Sequence, residues 1–404
     1  MIHQRLRRLL SFSFVSCCFC VGIGIGVVIR LAQLQPSDAA TTPTEVATDT
    51  KLLPEFNNLP PIIPESIFSE TITIQAVGDV IPGTNYPFNR LPSNKDSLIP
   101  PSVRAYLQRA DLLFGNFEST LTTHPYTPKD TSRGQVFAFR SPPSYAQLFA
   151  DVGFDVFNIA NNHALDFGNV GFQDTMSHLD NVGIQTVGHK NQILYLDKKN
   201  ITVATIGFAP YSMYNTIHDL QTAAALIKEA KSRADIVVVS MHAGAEGTKA
   251  LYVKNRTEYF YGENRGNSIQ FARAAIDAGA DLVLGHGPHV PRAMEIYRDK
   301  LIAYSLGNFL GYRTLSTRAQ AGYSMILEVK LNRWGNLVGS KIIPVRMSEQ
   351  GIPYIDQSFR TVGLLRYLNR KAFPNKQVKI NKLGEIVVNE SDSDMAISSF
   401  QVTD

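Results

Sequence analysis

Between residues 71 and 345, short β-branched runs alternate with stretches of helical spacing, and several runs break off at glycine or clustered polar residues. Thr71 to Val77 reads as a strand that stops at Gly78-Asp79. A helical stretch near Val103 to Arg109 leads to a second strand, Asp111 to Phe114, which stops at Gly115-Asn116. Ser144 to Val152 is helical, and Asp155 to Ile159 is a strand that stops at Asn161-Asn162-His163. A helix over Ala223 to Ala230 precedes strand Ile236 to Ser240, and one over Ile269 to Ala278 precedes strand Leu282 to Leu284. Hairpin-like pairs follow: Met294–Tyr297 with Leu301–Ser305, and Tyr323–Leu331 with Val338–Val345 around the turn Trp334-Gly335-Asn336. The alternation predicts an α/β domain, and no internal repeat is visible.

The flanks have a different character. Arg5, Arg7 and Arg8 precede an uncharged run of 21 residues, Leu9 to Ile29, with Arg30 alone behind it. About 20 apolar residues cross a bilayer core as a helix, and basic residues stay on the cytoplasmic side. This predicts a cytoplasmic N-terminus (1–8), a transmembrane anchor (9–29) and a domain on the extracytoplasmic side of the cell membrane. A cleaved signal peptide ending near Ser37-Asp38-Ala39, which would leave the protein secreted, stays open. Prolines 36, 43, 54, 60, 61 and 64 mark residues 30–68 as a Pro/Thr/Ala-rich linker. The chemistry-bearing domain is expected over 69–350, a C-terminal extension over 351–384, and a disordered acidic tail over 385–404.

Charge and cysteine narrow the function. The chain has 39 Lys+Arg and 35 Asp+Glu, and residues 1–30 hold four arginines and no acid, so the rest balances at 35 against 35. No global basic field argues for nucleic acid. All three cysteines lie in the apolar run, which leaves the domain without disulfides or thiol catalysis.

The strand ends carry the candidate chemistry. They read Gly78-Asp79, Asn116-Phe117-Glu118, Asn161-Asn162-His163, His242-Ala243-Gly244-Ala245-Glu246, Gly285-His286-Gly287-Pro288-His289 and Gly307-Asn308. Ligands of open α/β sheets gather at strand ends. Carboxylate, amide oxygen and imidazole without sulfur make a mixed ligand set suited to Mn, Fe or Zn, one or two ions. A histidine left off the metal could protonate a leaving oxygen. No G-x-S-x-G elbow, P-loop or dinucleotide fingerprint is present. Arg140 and Arg265 are candidates for contact with an anionic substrate, or else for structural ion pairs.

Taken in order, G-D, N-F-E, A-N-N-H-A-L-D-F-G, H-A-G-A-E, G-H-G-P-H-V and Y-S-L-G-N-F resemble the CapA family, associated with poly-γ-glutamate capsule biosynthesis, over about residues 71 to 345. That family is in turn similar to calcineurin-like metallophosphoesterases. The resemblance implies a β-sandwich flanked by helices, in four α/β/β/α layers, here joined to one N-terminal transmembrane helix. It further implies Asp79, Glu118, Asn162, His242, His286 and His289 as metal ligands and His163 as the general acid. Two departures stand out: Asp79-Val80-Ile81 lacks the histidine of the superfamily's Asp-x-His block, and Gly287-Pro288 separates His286 from His289 where a His-x-His is usual. The leading expectation is a membrane-anchored, metal-dependent phosphoesterase-like hydrolase acting outside the cytoplasm on an anionic polymer or phosphoester. A non-catalytic subunit of a membrane synthesis or export complex is the alternative. A metal-free hydrolase using Asp79 and Glu118 as a carboxylate pair is the third reading.

Overall fold

The computed structural model describes residues 70–132, 134, 136–374 and 378–387. Two mixed sheets carry the fold. In the ten-stranded sheet, β1 (Thr71–Ile81), β2 (Leu112–Phe117), β3 (Val156–Asn158) and β4 (Gln185–Val187) run parallel in that spatial order. The seven-stranded sheet is built on β5 (Leu194–Lys198), β6 (Ile201–Ala209), β7 (Ile236–His242) and β8 (Leu282–His286), continued by β9 (Met294–Tyr297) and β10 (Lys300–Ala303). The chain then returns to the first sheet as β11 (Asn308–Gly311), β12 (Tyr323–Asn332) and β13 (Leu337–Met347). Three short strands, Pro353–Ile355, Lys379–Ile380 and Glu385–Val387, complete that sheet's far edge.

Strand periodicity explains the packing. In β1, Ile72, Ile74 and Ala76 point to one face and meet Val203, Val238 and Leu284 of the other sheet, forming an apolar core between the sheets. Val77 and Val80 belong to the opposite face, where helices α1 (Pro101–Leu107), α2 (Tyr145–Val152) and α3 (Gly168–Asp180) cover the sheet. Helices α4 (Leu220–Lys231) and α5 (Ser268–Asp277) cover the outer face of the second sheet. Their starts are set by side-chain caps: Asp219 accepts from the Thr222 amide and Asn267 from the Gln270 amide. Helix α6 (Arg360–Ala372) buries Val362, Leu365 and Leu368.

The membrane-bearing architecture is corrected. Among the described residues no helix is long and apolar enough to cross a membrane. The longest, α3 and α6, have 13 residues each. At ~1.5 Å per residue they reach about 20 Å, short of a ~30 Å hydrocarbon core. The described residues form a mixed α/β sheet-and-helix fold, with no membrane-crossing helix among them. The expected span 9–29 lies outside the described residues, as do the linker to Ser69 and most of the tail. The expected single-pass membrane localisation, membrane partner and membrane-anchored function are corrected to this extent: no described helix is long and apolar enough to carry them.

Candidate metal centre

The geometry starts at Gly78. Below it, β1 pairs antiparallel with β12 over Thr71–Val77; above it, Asp79 to Ile81 pair parallel with β11. The register with β2 also shifts between Ala76 and Asp79. Such a bulge bends a strand and re-aims its side chains. Glycine is required by close approach rather than by a turn: a Cβ at Gly78 would lie 1.9 Å from the Gly307 carbonyl oxygen, while the Asp79 amide donates to that same oxygen at 3.0 Å. Strand β1 continues three residues past Gly78, where the sequence suggested a stop.

Asp79 is fully buried and crowded by polar groups. Asn116, at the end of β2, donates its amide to Asp79 Oδ1 at 2.8 Å. His289 Nδ1 lies 3.0 Å from Asp79 Oδ2, and His286 Nδ1 lies 3.6 Å from Oδ1. Burial opposes the charge, yet these two imidazoles hold the carboxyl well below its usual range. His242 and His286 are register partners at the ends of parallel strands β7 and β8. Glu118 is fully buried one residue past β2, 3.8 Å from His242 Nε2 and 3.7 Å from His289 Nε2. Burial raises the Glu118 carboxyl, and His289 only partly offsets this. Burial likewise pushes His242 well below its ordinary value, against the pull of Asp79.

Asp79, Glu118 and His242 each present a ligand atom, and these atoms all lie within 4.8 Å of one another. Both Glu118 oxygens, His242 Nε2, both His286 nitrogens and Asn162 Oδ1 are buried without a hydrogen-bond partner. Leaving such groups unmatched in low dielectric is expensive, and a cation among them would satisfy the set at once. The donors present thus fit a divalent ion with O/N ligands.

His289 sits in the left-handed region at φ 58, sparse for a non-glycine residue. That backbone turns its ring onto Asp79 and the Asn308 side chain, 2.9 Å away. Burial alone would lower its pKa, but Glu118, Asp79 and Glu246 prevail and raise it to about 10. The metal-free site therefore holds a proton on His289 below that pH. Ligands bind metal deprotonated, so an ion that took His289 as a ligand would have to displace that proton, and its affinity would then climb as pH rises toward 10. Calorimetric titration with Mn²⁺ at about pH 7, in two buffers of different ionisation enthalpy, should show proton release on binding; a buffer-independent heat would refute this.

His163 forms part of the wall of an open cleft of about 960 Å³, together with Asn162 and Glu246. Its Nδ1 lies 2.9 Å from Asp166 Oδ2, which also accepts from the Phe139 amide, and the Phe139 ring packs tilted against the imidazole, ring centroids 4.5 Å apart. Lys129 reaches Asp166 Oδ1 at 2.5 Å and donates to the Asn162 and Phe137 carbonyls. Burial lowers the His163 pKa, although Asp166 pulls the other way.

The two arginines sit differently. Arg140 donates to Asn85 Oδ1 and to the His124 carbonyl, with its guanidinium near the Tyr86 and Phe167 rings, away from the residues that line the cleft. Arg265 does line the cleft but is held by Glu246 at 3.0 Å and Glu263 at 2.9 Å. Residues not singled out from the sequence prove central. Asn116 links Asp79 to Asn158 and Asn161, which donate to its Oδ1 at 3.0 and 3.2 Å. Its place in N-F-E was the available signal. Lys129, on a long connection, had none.

A family model described as bacterial capsule synthesis protein PGA_cap matches residues 73–313. The PGA biosynthesis protein CapA of Bacillus subtilis (strain 168) is 30% identical over 60% of this chain and 63% of its own length. The capsule biosynthesis protein CapA of Bacillus anthracis is 28% identical over 60% of each. The match thus spans less than two thirds of either relative. Among solved structures, a 5′-nucleotidase precursor from Thermus thermophilus aligns with TM-score 0.41 and 12% identity over 77% of this chain and 60% of that one. A likeness that low bears on neither fold nor chemistry.

Proposed function

The chain belongs to the bacterial capsule synthesis family matched over residues 73–313, and from that membership we propose that it is a CapA-type, metallophosphoesterase-like hydrolase of phosphoesters or phosphoester-bearing polymer. The observation that carries this reading is the buried trio Asp79, Glu118 and His242, with its unmatched oxygens and nitrogen. Asn162, His286 and His289 complete the ligand set in this proposal. A bound divalent ion would supply Lewis-acid stabilisation of the phosphoryl oxygens and a water of lowered pKa.

The chain's own groups do the rest. Asp166 fixes the His163 ring through Nδ1, which leaves Nε2 as the nitrogen able to hand a proton to a leaving oxygen. Lys129 locks Asp166 from behind and ties it to the Asn162 carbonyl, so that ligand and proton donor share one scaffold. The capsule-related names of the relatives support a polymer-associated substrate.

A second reading, in which the site keeps its metal but has lost turnover, draws on Ile81. The position where the superfamily carries a histidine is here a fully buried isoleucine. His163→Asn separates the two. On the hydrolytic reading it retains stoichiometric metal, and its rate on a chromogenic phosphodiester falls about 10²- to 10⁴-fold. No phosphodiesterase activity in metal-loaded wild type would favour the second reading.

A further inference from the structure

Beside the cleft the surface becomes rich in cations. Three shallow cavities, of about 560, 710 and 490 Å³, lie edge to edge. The first shares Glu246 and Phe260 with the cleft that His163 lines, the first two share Tyr252 and Lys254, and the last two share Phe373. Lys249, Lys254 and Arg256 line the first. Lys371 lines the second, and Arg366 and Arg370, on α6, line the third. None of these six cations makes an ion pair among the described residues, whereas the two carboxylates along the path, Glu246 and Glu258, are held by Arg265 and Arg292. The second and third cavities are lined by no carboxylate among the described residues.

We propose that this path is a docking track for an extended polyanion, which it leads to the mouth of the cleft lined by His163 and Asn162. Unpaired cations in a row attract a line of like charge and gain by releasing its counterions. The paired rings in the middle of the track, Tyr252 and Tyr367, favour a polyanion without bases. Binding of single-stranded nucleic acid stacks bases on open ring faces, but Tyr252 and Tyr367 meet edge to face, their hydroxyls 3.2 Å apart, and Lys371 lies over the Tyr367 ring. The helix half of the track lies beyond the family match at residue 313, so it is a feature of this chain rather than of the matched region. The track does not depend on the metal reading, since none of its six cations belongs to the proposed ligand set; at the cleft end Glu246 lies 3.7 Å from His289.

The test is fluorescence anisotropy of the full chain with labelled polyaspartate and labelled inorganic polyphosphate. At low salt at least one should bind, and raising salt from about 50 to about 200 mM should weaken it about tenfold or more. Arg366→Glu with Arg370→Glu, or Lys249→Glu with Lys254→Glu, should each weaken binding about tenfold while circular dichroism and metal content stay unchanged. The probe bound more tightly at equal charge names the anion as carboxylate or phosphate. Absence of binding by both probes, equal binding by the charge-reversed variants, or tighter binding of single-stranded DNA of equal charge would overturn the proposal.

Discussion

Asp79→Ala is expected to lower affinity for Mn²⁺ or Zn²⁺ by at least about a hundredfold, since even outer-shell losses cost about 10- to 100-fold, and to abolish phosphodiester hydrolysis. Asp79 is the one group that touches Asn116, His286 and His289 together. Its negative charge is what the neighbouring imidazoles stabilise, so removal strips the cluster of the carboxylate they favour in its charged form. Without it, Glu118 stays the buried carboxyl whose charge burial disfavours, which makes it a poor substitute. The Asn116 amide also loses its acceptor, a cost of about 1–3 kcal/mol to the fold. Equilibrium dialysis followed by elemental analysis reads the first effect, and a thermal melt reads the second. Undiminished metal content in a folded Asp79→Ala protein would show that the ion is held elsewhere.

The second large effect is on stability. Gly78→Ala should destabilise the fold by about 3 kcal/mol or more, because overpacking against rigid neighbours sits at the upper end of core substitutions. The added methyl would meet the Gly307 carbonyl oxygen at 1.9 Å and its carbon at 2.7 Å. Both atoms are backbone, and β1 is held at this point by β2, β11 and β12, so no flexible side chain can give way. Gly363→Ala is the matched control. It lies in α6 with nothing within 4 Å of the new methyl, so helix propensity alone should act, leaving stability level or raised by up to about 1 kcal/mol. Urea melts of the two variants should move in opposite directions or, at the least, differ by several-fold in magnitude.

Much of the strand map was legible because the chemistry interrupts the pattern. A β-branched run such as Thr71–Val77 must lie in a sheet, and a buried carboxylate straight after it marks the place where the sheet has a task beyond packing. The same logic located Asn161-Asn162-His163 behind β3 and His286 at the end of β8. What the pattern did not carry is pairing across long separations. The exchange of β12 for β11 beside β1 depends on chain that returns more than 200 residues later, and it converts Gly78 from an apparent turn residue into a contact residue. Asn116 reads as an ordinary strand-end amide until Asp79, Asn158 and Asn161 are brought around it. Lys129 is silent in sequence because its three acceptors come from 8, 33 and 37 residues further along, and only the fold joins them. Arg265 stayed open between an anion contact and a structural ion pair because the local run Glu263-Asn264-Arg265 does not reveal that Glu246 also holds its guanidinium. The membrane expectation rested on composition at residues 9–29, outside the described part of the chain, and no described helix supports it.

The most direct test is an anomalous difference map from a crystal of the protein grown or soaked with Mn²⁺, collected at the manganese edge. The account predicts a strong peak among Asp79, Glu118 and His242, within coordination distance, about 2.0–2.2 Å, of their oxygens and nitrogen. A well-ordered site with no peak there, or a peak only at remote surface carboxylates, would contradict it.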